Sequence, residues 1–353
     1  MPTPLPTLAM GIAPLRLQLD RRALAANWRA LDAMSGSAAC GAAVKADGYG
    51  LGAGGVVAAL AEAGCRDFFV SSWAEAAAIA DLGVSIAVLH GVRSEDMAQA
   101  VGHPRARPVL NTMVQIARWR EAGGGACDVM VDTGMHRLGV SIEEVAAGAL
   151  DGLAIDTLMS HLACADEHSA LNGRQRDALA ALAGRTGARR LSLANSAGIA
   201  LGSDFAFDLT RPGLSLYGGV PVAALEGAIG QVVFPQAQIL QRRTVPSGAT
   251  VGYNATWTAP RDTQVAILNL GYADGYLRGF SNAGCARTER SGLPVIGRVS
   301  MDLLAIDVSA APGLGEGDWV DIDFILPSAA AASGMSQYEL LTSLGGRYDR
   351  IWI

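Results

Sequence analysis

Short apolar runs recur along the first two thirds of the chain, with alanine-rich helical stretches between them. They lie at 40–45 (CGAAVK), 67–71 (DFFVS), 86–90 (IAVLH), 107–110 (RPVL), 127–132 (CDVMVD), 155–160 (IDTLMS), 190–194 (RLSLA) and 207–211 (FDLTR). Such runs are continuous rather than alternating, the pattern of strands buried on both faces. Among the segments between them, 54–64, 73–82 and 172–184 read as helices, with Gly64, Gly83 and Gly184 as stops. Strand and helix alternating eight times predict an α/β fold, with an N-terminal (β/α)8 barrel over residues 20–228. A doubly wound open sheet is the competitor, and spacing alone does not exclude it.

Near residue 230 the pattern changes. Alternating runs at Gln238 to Val245, Gln264 to Leu270, Leu303 to Val308 and Trp319 to Asp323 are broken by glycine and proline, and helical pattern returns only at about 335–344. Alternation marks strands with one wet face, so residues 229–353 predict a mostly antiparallel β domain. Residues 15–19 (LRLQL) alternate as well, and the segment 14–19 is expected to join that second sheet. Asp20 then reads as the cap of a helix running through Leu31.

Composition narrows the classes. Half of the 353 residues are hydrophobic, enough for a substantial core. A net charge of −6 with scattered arginines gives no basic stripe for nucleic acid. No apolar run is long enough to cross a bilayer. Residues Met1 to Leu19 carry no basic residue before Arg16, which argues against an export signal. Five dispersed cysteines without ligand spacing read as small buried residues of a cytoplasmic protein, and the five histidines form no H-x-x-x-H pair. No metal is expected.

One residue stands apart. Of the 27 lysines and arginines, the only lysine is Lys45. A guanidinium stays protonated and is not nucleophilic, whereas a buried amine can lose its proton and attack a carbonyl. The main biological use of such an amine is a Schiff base, with pyridoxal phosphate the commonest aldehyde partner.

In a barrel, catalytic groups collect at the C-terminal ends of strands, with phosphate held after strands seven and eight. The polar residues fit that rule. Lys45 ends strand one, and Ala46-Asp47-Gly48-Tyr49-Gly50 comes after it. Arg137 follows strand five, His161 strand six and Asn195-Ser196-Ala197-Gly198 strand seven, while Arg211-Pro212-Gly213-Leu214 ends strand eight. Singly, each has a plainer reading: His161 as a core histidine, Arg137 and Arg211 as surface ion pairs, Ser196 as a helix cap. Their common placement at one rim favours the functional reading.

The strings AVKADGYGLG, VDTGMHRLG, SHLACADE, LANSAGI, RPGLSLYGG, VGYNATW, LNLGYADGY and GRVSMDL resemble those of the alanine racemases, from about residue 15 to the C-terminus. The resemblance implies a barrel that binds pyridoxal 5'-phosphate, a C-terminal β domain, and a homodimer with shared active sites. It implies Lys45 as the Schiff-base lysine and Tyr49, Ser196 and the backbone of Gly213 and Leu214 as phosphate contacts, with Tyr348 as a further phosphate tyrosine. Arg211 is similar to the arginine facing the pyridine nitrogen, and His161 to the histidine behind the ring. Arg137 and the backbone of Met301 correspond to the contacts of the substrate carboxylate. Tyr253 resembles the tyrosine that reaches across from the partner subunit.

The activity so implied is interconversion of L- and D-alanine through a pyridoxal-phosphate aldimine, supplying D-alanine for peptidoglycan. Inversion at a carbon held on a planar ring calls for an acid/base on each face, here Lys45 and Tyr253. A free tyrosine has a pKa of about 10, so positive charge from His161 and Arg211 is expected to assist Tyr253. One departure is that several relatives carry a lysine shortly before the substrate arginine, where this chain has Met130; chloride or His136 are the candidates to orient Arg137 instead. A non-catalytic pyridoxal-phosphate carrier and a barrel-type decarboxylase are the rival readings. The β domain with Tyr253 opposes the first and Arg137 the second; a preference for serine stays open.

Overall fold

The computed structural model describes residues 13–353, so the export-signal reading falls mostly on residues outside those described. The chain divides into two compact units, one of residues Asp20–Val232, the other of 13–19 together with Val233–Ile353.

In the first unit seven parallel strands follow one another in chain order. They are Ala42–Ala43, Asp67–Val70, Ser85–Val88, Ala106–Leu110, Cys127–Met130, Ile155–Met159 and Arg190–Ser192. An eighth, Leu209–Thr210, pairs in parallel with Ala39–Cys40. Asp208 N donates to Leu191 O (3.1 Å) and Arg211 N to Ala194 O (2.8 Å), which joins the eighth strand to the seventh. Ala43 N donates to Pro212 O at 2.8 Å on the other side. The ring is therefore closed, and the open sheet is excluded. The first apolar run is cut in two at Gly41, where a Cβ would press on the Phe69 ring (2.8 Å) and Asp67 O (2.9 Å).

Helices cover the strands. Arg21–Met34 begins at Asp20, whose Oδ1 accepts from Ala23 N at 2.8 Å, and runs three residues past Leu31. Ala53–Ala63 ends at Gly64. The segment 73–82 breaks into Trp73–Ala78 and a 3-10 turn, Ala80–Leu82, before Gly83. Ala170–Ala180 stops short of Gly184, which lies within the turns that follow.

At the N-terminal ends of the strands lies a charge cluster. Arg107 Nε donates to both Asp128 oxygens (2.8 and 2.9 Å), and Arg190 donates to Asp67 (2.9 and 3.0 Å) and to Asp156 (2.6 Å). This end of a barrel serves stability rather than chemistry.

The second unit is built on Val233–Val245, a thirteen-residue strand that changes partners along its length. Its first half pairs antiparallel with Leu15–Leu19 and Trp319–Ile322; after an irregularity between Ile239 and Gln241 it pairs with Thr263–Leu268. A bulge bends and twists a strand, which lets one strand serve two faces. Six antiparallel strands close a small barrel in the order Thr263–Leu268, Leu304–Asp307, Gly292–Ile296, Cys285–Arg287, Trp319–Ile322 and Val233–Val245. Leu15–Leu19 and Asp349–Trp352 extend that sheet. Leu15, Leu17 and Leu19 are buried while Arg16 and Gln18 are not, as the alternation expected.

Gln337–Thr342 falls within the expected 335–344 and is closed by a Ser336–Glu339 capping box. Leu326–Ser333 is a helix that the pattern did not mark, because its alanine run has no apolar stripe. Thr250–Val251 and Trp257–Thr258 form a short ribbon with Tyr253 in its connecting turn. Cys40, Cys65 and Cys127 are buried, whereas Cys164 and Cys285 are partly exposed; all five are free thiols. Among the described residues no helix is long and apolar enough to cross a membrane.

Candidate active site at the barrel rim

Lys45 comes directly after the first barrel strand and leads into an unusual turn. Ala46, Asp47, Gly48 and Tyr49 all have positive φ, between 53° and 63°. Each non-glycine residue there costs about 1–2 kcal/mol, so the turn is strained and has to be held. Ala46 N donates to Glu75 Oε1 (2.8 Å) and Ala53 N to Asp47 Oδ1 (2.7 Å). The Lys45 amine is held below the usual lysine range, first by burial and then by the Arg137 charge, with Glu75 pulling the other way.

The loops after strands seven and eight meet as a cradle. Buried Ser196 opens the helix Ser196–Ile199, and its Oγ accepts from Gly213 N (3.0 Å) and Ser215 N (3.2 Å). Its own hydroxyl hydrogen is thereby left to donate. A Cβ at Gly213 would collide with the Tyr49 hydroxyl, so only glycine lets the two loops approach this closely. Tyr49 stacks on Tyr217 at 4.6 Å, and the Tyr217 hydroxyl donates to Ala43 O at 2.8 Å. Ser215 Oγ is buried without a hydrogen-bond partner. The Gly213 N–H expected to face a phosphate is the one already given to Ser196.

Arg211 is only 7% exposed. Its guanidinium donates to Ser192 Oγ and, at 2.6 Å, to Ser160 O. Burial lowers it to about 10, with Asp128 the one carboxylate acting to raise it. His161 is pushed down to about 3, first by burial and then by the charges of Arg211, Arg137 and Lys45. An imidazole with that pKa is neutral at pH 7. The expected positive charge of His161 is therefore absent, and any cationic help for a nearby phenol falls to Arg211.

Arg137 sits on the loop after strand five. Asp132 Oδ1 fixes that loop by accepting from Gly134, Met135 and His136 N at 2.9–3.1 Å, and His136 Nδ1 lies 3.5 Å from Asp132 Oδ2. Among the described residues no carboxylate pairs with Arg137 itself. Met130 is buried in strand five. Lys45, Arg137, His161 and Arg211 feel one another's charge, so the structure brings these four expected groups together.

Three expected residues belong to the other unit. Tyr253 is 65% exposed, and its turn is bent by positive φ at Gly252, Asn254 and Ala255. Met301 is also exposed, and its neighbour Asp302 accepts from Arg347 Nη1 at 2.7 Å. Tyr348 lies in that unit's core, where burial, and then the Asp274 carboxylate, push its hydroxyl upward.

Several contributors escaped the sequence reading. Glu75 carried one signal, the Ser72-x-x-Glu75 spacing of a capping box. Its carboxylate instead accepts from Ser71 N and Ala46 N, bracing the turn after the lysine. Ser192 lies inside a strand and Gln175 inside a helix, where a lone polar residue carries no motif. Ser160 lies just past a strand and opens the SHLACADE string, but nothing in that string marks its contact with Arg211.

The alanine racemase N-terminal domain family matches residues 19–221, and the alanine racemase C-terminal domain family matches 232–352. The alanine racemase of Acidiphilium cryptum is 42% identical, covering 95% of this chain and 98% of that protein. A catabolic alanine racemase of Agrobacterium fabrum is 40% identical over 98% of this chain and 94% of its own length. The crystal structure of Bartonella henselae alanine racemase, with covalently bound pyridoxal phosphate, superposes with a TM-score of 0.88 at 34% identity, covering 96% of this chain and 99% of that one. The biosynthetic alanine racemase of Pseudomonas aeruginosa gives 0.88 at 32% identity, with 97% of this chain and 100% of that one covered. With its rim chemistry, its two units and these likenesses along nearly its whole length, this chain belongs to the alanine racemase family.

Proposed function

We propose that this chain interconverts L- and D-alanine with pyridoxal 5'-phosphate held on Lys45, as part of a homodimer in the cytoplasm that supplies D-alanine for peptidoglycan. The residues present fit that cofactor. The cradle offers the free hydrogen of Ser196 Oγ, the unpartnered Ser215 Oγ and the Tyr49 hydroxyl beside Gly213. Arg137 and Arg211 both act on the Lys45 amine, and among the described residues neither forms an ion pair with a carboxylate, a setting that attracts anions. When bound, the cofactor's conjugated ring spreads the charge left at the substrate Cα.

The remaining work falls to side chains. The lowered amine of Lys45 is more readily unprotonated at neutral pH, so it can hold an aldehyde and, once released, take or return a proton at Nζ. Arg137, without an ion pair among the described residues, binds the substrate carboxylate. Arg211 stays cationic and donates rather than surrendering a proton, while neutral His161 adds hydrogen bonding without charge. Tyr253 Oη is the second acid/base. Tyr253 is exposed within its own unit, and the rim of a second copy is the surface we infer it faces. Exposed Met301 and Leu303 in the same unit favour burial against such a partner.

The observation that carries this reading is the chain's single lysine, placed after a barrel strand with its amine held below the ordinary range. Chiral chromatography and mass spectrometry of L-alanine incubated in deuterated water test it. Cofactor-loaded enzyme is expected to yield D-alanine with deuterium at Cα. Absence of D-alanine from loaded enzyme rejects the reading.

A further inference from the structure

Helix Ala170–Ala180 buries Gln175, a polar side chain with 0% exposure, between two rim loops. Its amide is almost fully used. Oε1 accepts from Ala163 N (2.9 Å), while Nε2 donates to His161 O (2.9 Å) and, at a longer 3.4 Å, to Thr133 Oγ1. Thr133 Oγ1 in turn lies 2.7 Å from Ser160 Oγ, and Ser160 O accepts from Arg211 at 2.6 Å. Hydrogen bonds thus tie the Arg137 loop to Gln175 and to the Ser160 side chain, and Arg211 holds the same Ser160 by its backbone carbonyl.

The Arg137 loop needs such a tie. Asp132 shapes its backbone internally, but that fixes the loop's form and not its height above the barrel. Gly134 follows Thr133, and a Cβ there would stand 3.5 Å from Leu171 and 4.0 Å from Gln175, so the loop rests against this helix. Thr133 is the one side chain of the 133–139 loop that reaches Gln175.

We propose that Gln175 and Thr133 are positioning residues that set where Arg137 stands, and so govern affinity for the substrate carboxylate rather than proton transfer. This rests on the reading of Arg137 given above. The lysine that the resemblance would place shortly before Arg137 is missing here, where Met130 stands; the Gln175–Thr133–Ser160 relay supplies the stiffness by neutral hydrogen bonds.

The test is steady-state kinetics of the cofactor-loaded enzyme. Thr133→Val keeps the shape of the side chain and removes the relay hydroxyl. It is expected to raise the KM for alanine about three- to tenfold, the worth of one such bond, with kcat within about twofold and the cofactor's visible absorbance unchanged. Thr133→Ser restores the hydroxyl and should return KM to within about twofold of wild type. Gln175→Leu should raise KM further; because it also strips the His161 and Ala163 bonds and lowers stability, the Thr133 pair carries the decision. An unchanged KM in Thr133→Val, a loss confined to kcat, or a Thr133→Ser no better than valine overturns the proposal. Arg137→Ala separates the levels. If it raises KM where Thr133→Val does not, only the positioning role falls; if it leaves KM unchanged, the carboxylate reading falls too.

Discussion

The two ends of the barrel treat buried positive charge in opposite ways. On the floor, Arg190 is held above its ordinary value, because Asp67 and Asp156 outweigh the burial that acts against its charge. Arg107 is held up likewise by Asp128, Asp156 and Asp67. At the rim, burial drives Arg211 down to about 10 and His161 to about 3, and the Lys45 amine is lowered as well. Two arginines among three aspartates are each ion-paired, so their charge is met within the protein, although Arg190 Nε is buried without a hydrogen-bond partner. Cationic and basic groups without matching carboxylates make a site that is completed only by an anion from outside. Pairing marks structure here, and the lack of it marks function.

The largest effect that sharpens the contrast is at Lys45. Lys45→Ala is expected to lower racemisation by at least about 10³-fold, with little change in thermal melting, as measured by chiral assay and calorimetry. Tyr253→Phe follows, at roughly 10²- to 10⁴-fold in the same assay, with bound cofactor retained. The floor should respond in the reverse sense. Asp128→Ala leaves buried Arg107 with only its longer contacts to Asp156 and Asp67 and is expected to cost about 3–5 kcal/mol in denaturant unfolding, with kcat changed far less than in the rim variants. A floor variant that keeps its stability and loses its rate would break the comparison.

Acid should act on the rim. His161 has its folded pKa depressed to about 3, below the unfolded value of about 6.5. Its contribution is therefore fully present above pH ~6.5 and is lost as pH falls toward 3, because the unfolded chain takes up the proton first. In cofactor-free protein the stability difference between wild type and His161→Gln should shrink below pH ~6.5, with a slope approaching about 1.4 kcal/mol per pH unit. A flat difference would mean that the imidazole titrates normally. The smallest change is expected at Glu75. Glu75→Gln removes the carboxylate that raises the Lys45 amine and should move the acid limb of the pH–rate profile downward by less than about one unit.

Much of this was legible in the chain because strand periodicity and rim placement are local signals. Each of the eight apolar runs became a strand, and LRLQL joined the second sheet. Lys45, Arg137, His161 and Arg211 were placed together by the rule that strand ends share one face. What was not legible depends on packing. The neutrality of His161 follows from its burial beside three other basic groups, which no motif encodes. Glu75 and Gln175 act through backbone atoms of distant loops, so their residue types say little about their partners. The alanine-rich helix Leu326–Ser333 is set by tertiary context, since its sequence is equally apolar all round. The turn at 46–49, with three non-glycine residues at positive φ, runs against local preference and is held by Glu75 and Asp47.

One measurement addresses the central claim directly. Holoenzyme is reduced with borohydride and digested, and its peptides are weighed by mass spectrometry. Reduction should leave a phosphopyridoxyl group on the peptide containing Lys45, the only side-chain amine of its kind in the chain. A label confined to the N-terminal amine, or no label on protein saturated with the vitamer, would contradict it.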